Sequence, residues 1–286
     1  MDPVAAATGR IPPSWDDDAW ASDDWVGTPT PVNEPILVGL AGVEAEPVTW
    51  LWEQRIPLAS LVVLDGDPGT GKSTITLDLA ARISTGRRMP DGSRGIQGNT
   101  ILVSAEDSLA RPIKMRLEAA EADLECVYGL EGVSDDRHPT GRMLVLPEDN
   151  AVLHRAILNT DAKLVIIDPI MAYLSSAINS NNDQEIRRAV TPLARTASET
   201  GATILIVRHR RKPDTKSKGQ TPSLHEGGGS IGIVGAARAG LMVIRDDDDP
   251  TISTLFQTKS NYGPWPRPID YSHVGDRGVG RILWRP

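Results

Sequence analysis

The chain has 286 residues, 40% of them apolar, and carries 30 lysines and arginines against 38 acids for a net charge of −8. That length suffices for one full α/β core with appendages, and a single cysteine, Cys126, excludes an internal disulfide framework. No run approaches the roughly 18 apolar residues of a membrane span, and the start lacks a basic-then-apolar leader, so the chain reads as soluble and cytoplasmic.

Charge is unevenly spread. Residues 1–35 hold seven acids (Asp2, Asp16, Asp17, Asp18, Asp23, Asp24, Glu34) against Arg10, a net of −6, which leaves −2 for the rest. Trp15, Trp20 and Trp25 recur every five residues, a spacing that fits neither a strand face nor a helical stripe. This stretch reads as a disordered acidic tail, or as a segment that docks a protein partner or lies back on a basic site. Residues 36–286 read as the folded domain.

Trp50 to Ser60 leads the chain into an apolar strand, Leu61 to Leu64, followed by Gly66-Asp67-Pro68-Gly69-Thr70-Gly71-Lys72-Ser73-Thr74. The pattern Gly-x-x-x-x-Gly-Lys-Ser between a strand and a helix is a phosphate-binding loop. Glycines let the backbone curl so that its N–H groups face a polyphosphate, and the helix start adds the positive end of its dipole. Lys72 is then a mobile, solvated charge for the β and γ phosphates of ATP, and the Ser73 hydroxyl suits Mg²⁺. Ile75, Leu77, Leu79, Ala80 and Ile83 give the helix an apolar face that ends near Gly86.

Three further apolar runs, Thr100 to Ser104, Lys163 to Asp168 and Ala202 to Val207, have the continuity of buried parallel strands. Helices are expected to about Ala122, over Asn150 to Asn159, over Asp183 to Thr200 and over Ile231 to Ala239. Met143 to Leu146 reads as a short strand, and Gly240 to Ile244 and Thr251 to Lys259 as a hairpin about the acidic turn Asp246 to Asp249. The alternation specifies a doubly wound, mainly parallel sheet with a C-terminal antiparallel hairpin.

Each long strand ends on a polar residue. Asp168 can hold Mg²⁺ beside the phosphate loop, or cap a helix. Glu106, just past its strand, can orient and deprotonate an attacking water, or be a surface acid favoured by a helix start. His209 can sense the γ-phosphate and pass its loss to Arg210 to Gln220, a basic segment that otherwise reads as an ordinary solvated loop.

Together with Ser104-Ala105-Glu106-Asp107-Ser108, Ile166-Ile167-Asp168-Pro169, Val207-Arg208-His209 and Gly228 to Arg238, the phosphate loop resembles the RecA-like ATPases of the AAA family that include plasmid RepA-type hexameric replicative helicases. The resemblance spans Trp50 to Gly263. It implies Glu106 as catalytic base, His209 as phosphate sensor, Arg238 reaching a neighbouring subunit's nucleotide, and segment 210–229 facing a central channel. The expectation is an ATP- and Mg²⁺-dependent motor, a hexameric homo-oligomer acting on single-stranded DNA through 210–229. A P-loop phosphotransferase and a non-motor regulatory ATP switch docking partners through its tail remain alternatives.

Overall fold

The computed structural model describes residues 37–180, 182–209, 231–276 and 278–286. The chain divides into two units, Met1–Glu46 and Pro47–Pro286. Of the first, the described part is 37–46, with a 3-10 turn at Leu40–Gly42. The acidic tail 1–35 and the basic segment 210–229 lie outside the described residues.

In the second unit, β1 (Trp50–Trp52) and β2 (Ile56–Pro57) form a small antiparallel pair ahead of β3 (Leu61–Gly66). Every residue of β3 is buried, as expected for a strand covered on both faces. Beyond the phosphate loop, α1 (Lys72–Thr85) closes on Gly86, whose φ of 67° is the left-handed cap of a helix end. Next come β4 (Asn99–Ser104), α2 (Ile113–Ala119), β5 (Val127–Gly129) and a two-stranded hairpin, β6 (Val133–Asp135) with β7 (His138–Arg142). After α3 (Asn150–Thr160) and β8 (Ala162–Asp168), α4 (Asp183–Thr200) begins where the Asn182 side chain accepts from the Gln184 and Glu185 amides. The chain then runs through β9 (Thr203–His209), α5 (Ile231–Ala236), β10 (Ala239–Arg245), β11 (Ile252–Ser260), β12 (Ile269–Asp276) and β13 (Val279–Arg285).

Among the described residues these build a nine-stranded sheet in the order β13-β12-β11-β10-β3-β9-β8-β4-β5. From β10 to β5 the pairings are parallel, and β11, β12 and β13 add antiparallel. The mainly parallel sheet with antiparallel C-terminal strands therefore agrees with the expected class. Alternation along β3 divides the core: Val62 and Leu64 face α1 and α2, while Leu61 and Val63 face α3, α4 and α5.

Two readings need correction. Met143 to Leu146 is not a strand. Leu144 and Leu146 are buried as core side chains, and Leu146 makes only an isolated bridge to Leu174. The C-terminal region also holds two strands more than expected, and they reach α1: Ile282 and Tyr271 join its core, and the Trp284 indole N–H donates to Asp78 Oδ2 at 2.7 Å.

Candidate active site

The four central parallel strands β3, β9, β8 and β4 lie side by side in that order, so their carboxyl ends form one edge. Register fixes what each end presents. Gly66 stands opposite His209, and Ser104 opposite Asp168. The Ala105 amide donates to the Asp168 carbonyl at 3.1 Å, which ties the chain just before Glu106 to the tip of β8. Asp168 is thus separated from the phosphate-loop strand by β9, but the start of α1 bridges the gap: Ser73 and Asp168 line one small pocket, and the Ser73 hydroxyl is near enough to favour the charged carboxylate.

The loop itself is shaped by glycine. Gly69 and Gly71 have φ of 76° and 90°, and at Gly66 a Cβ would sit 2.9 Å from the Val243 carbonyl oxygen. Gly71 at the N-cap has no side chain to offer the start of α1, and the residues of that first turn line the cavity described below. Lys72 is not the solvated charge its sequence context suggests. It is 4% exposed and donates to the carbonyls of Gly66 and Asp67, both at 2.9 Å, with its Nζ 3.3 Å from His209 Nδ1. Burial pushes the lysine's pKa below its ordinary value, while Asp168, Asp67, Glu106 and Asp65 pull it back up.

His209 Nε2 lies 3.6 Å from Glu106 Oε1, and both side chains are open to solvent, at 41% and 59%. Asp168 is different: 9% exposed, with its carboxyl raised above the ordinary value by burial and by the charge of Glu106, against the pull of the nearby Ser73 hydroxyl, Lys72 and His209. A hydroxyl and a carboxylate, both hard oxygen donors at a helix start, fit Mg²⁺. A pocket of about 20 Å³, room for one water, adjoins Ser73, Ser104, Asp107 and Asp168.

The phosphate loop, Glu106 and His209 share one polar cavity of about 580 Å³. Arg238 does not join them. It is exposed at the start of β10, its amide donating to the Leu61 carbonyl at 2.8 Å, so it stands at the opposite end of β3 from the loop.

Arg116 and His273 also line the cavity, and neither was read from the sequence. Arg116 of α2 pairs with Asp107 at 2.7 Å, and both line it. His273 of β12 stands against Gly71, the Tyr271 hydroxyl donates to the Thr70 carbonyl at 2.6 Å, and Arg245 donates to the Gly69 carbonyl at 2.5 Å. The alternation Ile269, Tyr271, His273 was the available signal for a strand there.

A nine-stranded sheet with a phosphate loop on a central strand and acids on neighbouring strand tips defines a RecA-like P-loop ATPase fold. A sequence model described as AAA domain matches residues 28–215, and the chain belongs to that family. Among solved structures, the ATPase domain of another protein superposes with a TM-score of 0.57 at 14% identity, over 79% of this chain and 85% of that one. The DNA repair protein RadA of Halalkalibacterium halodurans is 31% identical over 156 residues, which is 54% of this chain and 28% of RadA. RadA of Synechocystis sp. is 28% identical over 158 residues, 54% of this chain and 29% of the relative. The chain thus spans under a third of the length of these relatives. Among the described residues no helix is long and apolar enough to cross a membrane.

Proposed function

We propose that the chain hydrolyses ATP with Mg²⁺ and uses the cycle to move or remodel DNA as a ring of identical subunits in the cytoplasm. The observation that carries this reading is the meeting of Lys72, Glu106 and His209 in one cavity with the uncapped start of α1. In this reading the amides of residues 69–74 wrap the phosphates. Lys72 leaves the Gly66 and Asp67 carbonyls for the β and γ phosphates. Ser73 and Asp168 would hold Mg²⁺, which neutralises charge developing on the transferred phosphoryl group. Glu106, exposed in the cleft, orients a water and accepts its proton as the water oxygen bonds the γ-phosphorus and the bond to ADP breaks. His209, next to both Lys72 and Glu106, reports whether the γ-phosphate is present.

Arg238 completes a neighbour's site. Its place away from its own loop suits a residue that acts between subunits, and such an arginine is worth about 10³ to 10⁵ in rate. DNA as the substrate draws on two supports: relatives named for DNA repair, and the basic residues Arg210, Arg211, Lys212, Lys216 and Lys218 in the segment after His209.

ATP turnover measured with and without single-stranded DNA, across protein concentration, tests the reading. Turnover should rise steeply with concentration and again with DNA. Turnover indifferent to both would remove the ring and the DNA, and would move a phosphotransferase or a regulatory switch ahead.

A further inference from the structure

One residue behind the strand tips, Asp65 on β3 and Arg208 on β9 are register partners. Arg208 Nε donates to Asp65 Oδ1 and Nη2 to Oδ2, both at 2.6 Å, and neither side chain has any exposure to solvent. So completely buried an ion pair is a poor source of stability, because desolvation of two charges offsets their attraction, and apolar replacement of both is often neutral or stabilising. β3 and β9 already have a parallel ladder and the apolar neighbours Leu64 and Val207 to hold them. What the pair adds is geometric. A bidentate fork fixes distance and orientation together, which an apolar contact or a lysine does not.

The two residues it fixes are adjacent in sequence to Gly66 and His209, the tips at which Lys72 is anchored. Lys72 Nζ donates to the Gly66 carbonyl at 2.9 Å and lies 3.3 Å from His209 Nδ1, so the contacts close a ring from Asp65 through Lys72 and His209 back to Arg208. We propose that Asp65 and Arg208 are positioning residues for hydrolysis: they hold the phosphate loop and the β9 tip as one body, so that Lys72 and His209 meet the γ-phosphate at a fixed separation. The proposal rests on the ATPase reading of the site.

Removing one partner alone would strand a buried charge, so the test removes both. The double variant Asp65→Leu/Arg208→Met of the full chain should bind a fluorescent ADP analogue within about threefold of the parent, since the loop amides are untouched. Its kcat for ATP should fall about 100-fold, the scale of a 1 Å misplacement of reacting groups, with KM nearly unchanged. Arg208→Lys, which keeps the charge and loses the fork, serves where the double variant fails to fold and should show the same kcat-only loss to a smaller degree. A folded variant of either kind with the parent kcat overturns the proposal, whatever its melting temperature. A parent chain that neither binds nor turns over ATP would instead overturn the ATPase reading, which the variants do not probe.

Discussion

The Lys72 ammonium and the His209 imidazole are neighbours, Nζ to Nδ1 3.3 Å, with the lysine donating back to two carbonyls of its own loop. Lys72 therefore does two jobs, and Lys72→Met separates them. Loss of the ammonium strips two carbonyls of their donor, yet it also removes a desolvated charge, since burial lowers this lysine's pKa. The opposing effects should leave the melting temperature within about 2–4 °C, the shift expected of ~1 kcal/mol in a domain this size. ATP turnover should vanish, and calorimetry plus a phosphate-release assay check both halves.

Glu106→Gln keeps size and hydrogen bonding but cannot accept a proton. ATP affinity should hold while kcat falls by about 10² to 10⁴, the usual contribution of a positioned base. Turnover near the parent rate in this variant would show that another group activates the water.

The strand tips were legible because burial writes itself into sequence: Thr100 to Ser104, Lys163 to Asp168 and Ala202 to Val207 are unbroken apolar runs, and each places its polar residue at the same edge. The order in which those edges meet was not legible, since β3 and β8 read alike and nothing local says that β9 lies between them. β12 and β13 escaped notice for a different reason. This hairpin carries little apolar weight: Tyr271 and Ile282 are flanked by Ser272, Arg281 and several glycines, and the apolar signal is diluted. Lys72 reads as a solvated charge, and only the curl of the loop puts carbonyls around it.

Asp168 makes a pH-dependent prediction. Burial, then the charge of Glu106, raises its carboxyl above the ordinary 3.8, so the folded state favours the protonated form. That contribution is fully present below 3.8 and is lost as pH rises through the folded value; near neutral pH the ionised group is a net cost. Asp168→Asn imitates the protonated form. Free of nucleotide and treated with a chelator, it should melt above the parent near neutral pH, by about 2–4 °C for each kcal/mol. The gap should close as the pH approaches about 4. A constant gap from acid to neutral pH would mean that the carboxylate is solvated.

The last prediction concerns Gly71, where two constraints coincide. Its φ of 90° lies in the left-handed region, and a Cβ placed there would fall on the imidazole of His273. The first is a backbone cost of about 1–2 kcal/mol for an L residue, independent of neighbours. The second depends on β12, whose Tyr271 hydroxyl is already bonded to the Thr70 carbonyl and so keeps the strand close to the loop. A double-mutant cycle distinguishes them. In the parent, Gly71→Ala should cost more than the backbone alone, and in a His273→Ala background the cost should fall back to about 1–2 kcal/mol. Nucleotide affinity should drop in both backgrounds, because the changed φ alters the curl of the loop whether or not the histidine is there. Equal costs in the two backgrounds would show that His273 yields freely and that β12 does not press on the phosphate loop.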